Sequence, residues 1–288
     1  MLIFYGDTNS ELWYEIVNKN KINMINMPYC LNGELLYADL GEHSAYIDFF
    51  KRVKNGEIPT TCGLNKQDYI DYFEKHLKNG DDIIYVTFSH KMSNTFEYMR
   101  QAIEELEAKY EGRSIKYIDT KQISVGEALI LEQAYNFYKT GKTADEIIEF
   151  VEDLRDHVTT IFAVDDLNHL KNGGRISGST AFFGTLLQIK PILEITKEGK
   201  IEKFDKAKGK KNVVSTLVKT VKERAENIAD YPIIIIHAVC EDTANMLRDE
   251  LMAEFGKDLN IRIQPVGPTI GTHCGPGTIG LTFHSKKA

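Results

Sequence analysis

Two short stretches of this chain combine residue types that can hold an anion or move a proton. Phe88-Ser-His-Lys-Met-Ser-Asn-Thr95 joins a buried-looking apolar run to an amphipathic one. At such a strand-to-helix junction, free backbone N–H groups and the helix dipole favour negative charge. Ser93 and Thr95 add hydroxyl donors. The same Ser, Asn and Thr are also preferred helix N-caps, so plain capping is the competing explanation. The second stretch, Gly271-Thr-His-Cys-Gly-Pro-Gly277, places His273 among three glycines and a proline. That pattern predicts a sharp turn open to close approach, where His273 can donate to a carboxylate or act as a base. A surface turn with an incidental histidine is the alternative. Three other loops carry weaker signals: the hydroxyls of Pro59-Thr-Thr-Cys62, the fork donor Arg175 in Gly173-Gly-Arg-Ile-Ser177, and the basic run Lys206–Lys211. Taken singly, a turn, a structural ion pair and a solvated face account for them.

Other chemistries find no support. Gly141-Lys-Thr143 resembles the end of a phosphate loop, but the first required glycine is Asn136 and no strand precedes it. Thr143 with Glu146 reads better as a capping box opening a new helix. There is no GxSxG, no HExxH and no CxxC among Cys30, Cys62, Cys240 and Cys274, so no metal or cofactor is expected. The 288 residues carry 35 Lys+Arg against 42 Asp+Glu, a net charge of −7 without a cationic block, which argues against nucleic acid as a partner. The longest aliphatic stretch, around Ile233–Ile236, is far short of the roughly 20 residues a spanning helix needs. With no basic, apolar leader at Met1–Asp7, the expected location is the reducing cytoplasm, with free thiols.

The elements that must position these residues alternate. Strands are predicted at Leu2–Tyr5, Asn23–Pro28, Ile83–Phe88 and Ser114–Ile118. Helices are predicted at Glu11–Val17, Asp39–Lys54, Asp68–Leu77, after the Ile83–Phe88 strand with Phe96, Met99, Ile103, Leu106 and Tyr110 on one face, at Val125–Tyr138 and at Ala144–His157. Alternation of this kind implies a parallel sheet covered on both faces. Beyond residue 158 the texture changes: a strand at Thr159–Val164, a helix at Ala181–Leu187, and a hairpin of Pro191–Thr196 with Lys200–Phe204. Helices at Asn212–Asn227 and Thr243–Phe255 then alternate with strands at Pro232–His237, Ile261–Val266 and Thr278–Phe283. Hairpins mixed with helices predict a second, α+β unit.

In chain order these pieces resemble the DegV family of bacterial fatty-acid-binding proteins. The resemblance rests on Asp7-Thr-Asn-Ser-Glu-Leu12, Pro28, Asn32-Gly33, Tyr37-Ala-Asp39, Pro59-Thr-Thr61, Ser89 with Ser93-Asn-Thr95, Asp119-Thr120 and Gly126. It continues through Leu167-Asn-His-Leu170, Gly173-Gly-Arg-Ile-Ser177, Ile189-Lys-Pro-Ile-Leu193 and His273-Cys-Gly-Pro-Gly277. It implies an α/β, two-domain fold: a Rossmann-like parallel-sheet domain over residues 1–158, a mixed-sheet α/β domain over 159–288, and one long-chain fatty acid between them. It implies a carrier and not an enzyme, presenting the acyl carboxylate to a separate ATP-dependent fatty acid kinase for phospholipid synthesis. By position, Thr61, Ser93 and His273 would contact the carboxylate, with the amides of Asn94 and Thr95 close by. Cys62, Arg175 and Lys208 are further pocket or partner contacts, and Phe182, Phe183, Leu186, Leu187 and Ile189 are expected along the acyl slot.

The physics is consistent with such a ligand. A buried carboxylate needs several donors, and a chain of about 16 carbons contributes a gross burial term on the order of 12 kcal/mol. The chain departs from the family pattern at Cys62-Gly-Leu-Asn65 in place of Ser-Gln-Pro-Ser, at Asn94 in place of Gly, and at Lys208 in place of Arg. The alternative reading is a Ser93–His273 nucleophile–base pair acting on a small substrate, or a binding protein for another small molecule, since the fold also looks related to the substrate-binding part of dihydroxyacetone kinases.

Overall fold

The computed structural model describes residues 1–176 and 189–287. The predicted helix at Ala181–Leu187, with Phe182 and Phe183, lies outside the described residues. The first half contains strands β1 (Leu2–Asp7), β2 (Asn23–Ile25), β3 (Pro28–Leu31), β4 (Glu34–Tyr37), β5 (Pro59–Thr61), β6 (Asp82–Thr87) and β7 (Ile115–Asp119). Its helices are α1 (Tyr14–Asn20), α2 (Ala45–Lys54), α3 (Lys66–Lys78), α4 (Thr95–Lys109), α5 (Val125–Tyr138) and α6 (Ala144–Arg155). The second half adds β8 (Val158–Ala163), α7 (Asn168–Asn172), β9 (Ile189–Ile195), β10 (Ile201–Lys208), α8 (Gly209–Arg224) and β11 (Ile233–His237). It closes with α9 (Glu241–Phe255), β12 (Ile261–Pro265), α10 (Pro268–Cys274) and β13 (Ile279–His284).

Three sheets organise these elements. The first has the order β2-β1-β6-β7 and is parallel throughout. The second, β10-β9-β8-β13-β11-β12, is mixed, with only β11 and β12 parallel. The expected combination of a parallel sheet and a mixed one is therefore present. The third sheet, β4-β3-β5, is antiparallel and was not foreseen. The predicted strand Asn23–Pro28 is in fact two, because the chain leaves the parallel sheet after Ile25 and starts a new ladder at Pro28, where a missing N–H costs least at a strand's first residue. The loop expected at Pro59–Thr61 is the outer strand of that ladder.

Helix α5 explains how the sheets meet. It carries apolar residues on almost every face, and Val125, Ala128, Leu129, Ile130 and Leu131 are all buried. A helix apolar all round must be covered all round, and α5 packs against β1 and β6 of the parallel sheet and against β8, β11 and β13 of the mixed one. The remaining core is divided. Phe73, Tyr85 and Phe96 pack beneath α3 and α4, while Val213, Leu217, Leu247 and Phe283 pack beneath α8 and α9.

Helix starts follow local chemistry. Thr143 and Glu146 form the predicted capping box of α6. Asn65 and Asp68 form a second one at α3, with Asn65 accepting from the Gln67 amide at 2.7 Å. The predicted helix at Asp39–Lys54 starts only at Ala45, because the Asp39 carboxylate binds the amides of Gly41, His43 and Ala45 and holds the preceding segment as a loop. The first predicted helix likewise shifts to Tyr14, since a short 3-10 turn at Thr8–Ser10 comes first.

Candidate functional site

In the parallel sheet, β2 lies on one side of β1 and β6 on the other, so the loops following β1 and β6 diverge. Such a crevice at the strand C-termini is where open α/β sheets hold ligands. Here it faces the mixed sheet across a cavity of about 140 Å³. Phe88, Met92, Ile123 and Val125 line it from the first half, and Phe162, Ile195, Ile201 and Ile236 from the second. The wall is mostly apolar.

A compact polar group sits on this wall. Thr61, at the end of β5, and His273, on α10, meet through a hydrogen bond of 2.9 Å between Thr61 Oγ1 and His273 Nε2. The stretch containing His273 is not the predicted turn: α10 runs to Cys274, and the turn begins only at Gly275, whose φ of +72° ends the helix. Helical structure matters because it fixes the imidazole against α7. A Cβ built on Gly173 would lie 2.2 Å from His273 Nδ1, so only glycine leaves room for the ring there. Arg175 donates from Nε to the Met92 carbonyl at 3.2 Å and from Nη1 to the Gly173 carbonyl, which draws it beside both Ser93 and His273. It has no carboxylate partner among the described residues.

Burial, and then the Arg175 charge, lower the His273 pKa to about 3, so the imidazole is neutral at physiological pH. Burial also pulls the Arg175 guanidinium below its usual range. Four side chains, Thr61, Ser93, Arg175 and His273, thus line one cavity with a half-buried cation and no compensating acid among them. His273 Nε2 is engaged by Thr61, and Nδ1 has no hydrogen-bond partner among the described residues, so the acid that would orient a nucleophile–base pair is absent from this constellation.

The family model described as an uncharacterised protein of the DegV family matches residues 6–286. The chain belongs to the DegV family. A DegV domain-containing protein of Clostridium perfringens, CPE0026, is 32% identical over 281 residues, covering 98% of this chain and 96% of that relative. A DegV family protein from Thermus thermophilus, described for its fatty acid binding, is 27% identical with a TM-score of 0.86, covering 99% of both chains. The fatty acid binding DegV family protein SAG1342 from Streptococcus agalactiae is 26% identical with a TM-score of 0.84, again over 99% of both.

Within this DegV chain the residues singled out from the sequence separate into three groups. Thr61, Ser93, Arg175 and His273 converge, and Cys62 joins them on the cavity wall. The Cys62 thiol is pushed up to about 11 by neighbouring Cys30 and by burial, so it stands there as a neutral group. Thr95 also lines the cavity, but its hydroxyl is committed: Oγ1 donates to the Leu64 carbonyl at 2.9 Å and meets the Tyr69 hydroxyl at 3.0 Å. Its backbone N–H donates to Ser93 Oγ at 3.2 Å, so Ser93 does help to start α4. Asn94 is exposed, with φ −78°; no left-handed conformation is needed where the family has Gly. Lys208 lies at the exposed junction of β10 and α8, away from the cavity wall.

The departures at Cys62–Asn65 also find reasons. Leu64 is a core residue, 5% exposed, and Asn65 caps α3. Two wall residues had not been assigned a role. Asn9 and Thr269 are 7% and 8% exposed, and Asn9 Oδ1 and Thr269 Oγ1 have no hydrogen-bond partner among the described residues. The sequence carried a signal for each: Asn9 lies two residues beyond the first strand, and Thr269 lies one helical turn before His273.

Proposed function

We propose that this DegV protein binds a long-chain fatty acid in the cavity between its sheets and acts as a carrier with no catalytic step of its own. One observation carries this reading: a largely apolar wall ends in the hydroxyls of Thr61 and Ser93, the neutral imidazole of His273 and the acid-free guanidinium of Arg175. An apolar chain with a single carboxylate matches both halves of that surface. The amides of Asn94 and Thr95, at the start of α4, add the positive end of a helix dipole. The fatty acid binding of the Thermus thermophilus and Streptococcus agalactiae relatives supports the same reading. In it, residues 1–158 and 159–288 form the two domains that clasp the ligand. A separate ATP-dependent fatty acid kinase in the cytoplasm phosphorylates the carboxylate for phospholipid synthesis, with Lys208 on the outer surface as a contact for that partner.

Native mass spectrometry of the purified protein, followed by organic extraction, is expected to yield one long-chain fatty acid per chain. Ser93→Ala removes a hydroxyl hydrogen-bonded to a charged group and is expected to weaken binding about 10- to 100-fold, from roughly 1.5–3 kcal/mol. Protein that is recovered empty and takes up no added fatty acid would overturn the proposal.

A further inference from the structure

Helix α10 carries His273, yet its own sequence gives little reason for a helix. Pro268–Cys274 is seven residues long, with a glycine in its middle and with Thr269, Ile270 and Thr272 branched at Cβ. So short a segment does not hold a helix unaided, and its place must be set by its neighbours. They meet it at glycines four positions apart. A Cβ on Gly271 would lie 2.8 Å from Phe50 Cζ, and one on Gly275 would run into the His169 ring. At the start of the helix the neighbour is Glu11, whose Oε1 lies 3.1 Å from where a Cβ on Gly267 would stand.

The Glu11 contact differs from the other two because it is built of hydrogen bonds. The amide of Gly267, the N-cap of α10, donates to Glu11 Oε1 at 2.5 Å. In a capping box that acceptor comes from a Glu or Gln three residues on, but here the position holds Ile270. Ser124, the N-cap of α5, does not cap its own helix, and its hydroxyl donates to Glu11 Oε2. Gln264 Nε2, on β12, donates to the Glu11 main-chain carbonyl at 2.7 Å. One buried carboxyl group therefore joins the starts of α5 and α10, and its residue is anchored to the mixed sheet. The backbone bends to allow this. Glu11 has φ +54° and Ser124 has φ +55° with ψ −140°, values uncommon outside glycine, and such strain persists only where the surroundings fix it. Glu11 itself does not line the cavity. Ser124 and Val125 line it on one side of the joint, and Thr269, Ile270 and His273 on the other.

Resting on the fatty-acid reading above, we propose that Glu11 is a positioning residue for ligand binding: it fixes α10 against α5 and so sets where His273 meets Thr61, without touching the ligand. Glutamine reproduces the contact, its carbonyl oxygen accepting from the Gly267 amide and its nitrogen donating to Ser124 Oγ. Alanine leaves both groups without that partner and frees the start of α10.

The test measures dissociation constants of the full-length, delipidated protein for palmitic acid at neutral pH. The proteins are wild type, Glu11→Ala, Glu11→Gln, His273→Ala and the double variant Glu11→Ala with His273→Ala. Glu11→Ala is expected to weaken binding about tenfold, and Glu11→Gln less than about twofold. Where His273 is already gone, Glu11→Ala should cost less than about threefold, because the two changes act on one contact. A tenfold loss in both backgrounds would overturn the proposal, since Glu11 would then act by a route other than His273. Equal weakening by Glu11→Ala and Glu11→Gln would overturn it too, assigning the effect to charge, and so would unchanged binding in Glu11→Ala. If Glu11→Ala fails to fold, Gln264→Met decides, because it removes the donor behind Glu11 and lies off the cavity wall. A loss of about threefold on wild type and none on His273→Ala supports the role, and any other pattern overturns it. If wild type binds no palmitic acid, the fatty-acid reading itself falls and takes the positioning role with it.

Discussion

Glu127→Gln is expected to stabilise this protein at alkaline pH and to leave its stability near pH 5 almost unchanged. Glu127 is fully buried in the first turn of α5, and no donor among the described residues reaches either carboxylate oxygen. Burial, followed by the adjacent Asp7 charge, raises its pKa well above the ordinary carboxylate value. Asp7 is also fully buried, but it accepts from the Tyr85 hydroxyl at 2.8 Å, the Thr87 hydroxyl at 2.9 Å and the Asn9 amide at 3.0 Å. Burial lifts it only to about 6, those donors opposing the rise. The acid form of Glu127 is thus the one that fits, donating to Asp7. Burial raises Glu11 as well, to about 8, against the opposing bonds from Ser124 and Gly267.

All three folded pKa values lie above their unfolded ones, so the folded state binds more protons at intermediate pH. Their stabilising contribution is complete below about pH 4 and is lost progressively as pH rises, through about 6 for Asp7, about 8 for Glu11 and the strongly raised value of Glu127. A fully buried carboxyl pushed well up in this way costs the folded state stability as it ionises. Glutamine keeps the donor to Asp7 and cannot ionise. Thermal melts should therefore show Glu127→Gln and wild type within a degree or two at pH 5. At pH 9 the variant should melt several degrees higher, at about 2–4 °C per kcal/mol for a chain of this size. Parallel pH slopes for the two proteins would show that Glu127 does not titrate in this range.

Much of this arrangement was legible in the sequence because local chemistry decided it. Val125–Tyr138 was placed to the residue, since an apolar-rich, proline-free run flanked by Ser124 and Lys139 leaves little choice. Thr143 with Glu146 announced its own capping box. The site was legible as a set of loops rather than as a geometry. Thr61 and His273 are separated by 211 intervening positions, and the pairing of β5 with β3 and the packing of α10 on both strands bring them together. Their hydrogen bond, and the neutral imidazole that follows from burial, are tertiary facts. What misled the reading at His273 was the glycine density after it. Gly275 and Gly277 do form a turn, but Pro268 starts a helix that continues through the histidine. Asn9 and Thr269 were passed over for a related reason, because an unpaired hydroxyl or amide is recognisable only once the neighbouring groups have been found to satisfy one another.

The interlock of Gly173 with His273 leads to the largest expected effect on binding. Gly173 has φ −73°, a conformation alanine adopts without strain, so Gly173→Ala tests space alone. Its Cβ would stand 2.2 Å from His273 Nδ1 and 2.9 Å from Cε1, while the nearest backbone atom, the His169 carbonyl oxygen, is at 3.3 Å. The ring must therefore move, and moving it breaks the 2.9 Å bond that positions the Thr61 hydroxyl on the cavity wall. His273→Ala removes the partner of Thr61 outright, and both single variants are expected to weaken binding of palmitic acid by about 100-fold, near the upper end for a hydrogen bond to a charged group. In the double variant the methyl group meets empty space instead of an imidazole, so the second change should add less than about threefold. The coupling between the two is then about 2.5 kcal/mol, within the range seen for residues in direct contact. Dissociation constants for the wild type, the two single variants and the double variant measure it. Additive losses, close to 10,000-fold in the double variant, would mean that Gly173 acts on the ligand by a route other than His273. Melting temperatures for the same four proteins separate this from unfolding, since Gly173→Ala acts on a side chain at the cavity wall and leaves the sheets intact.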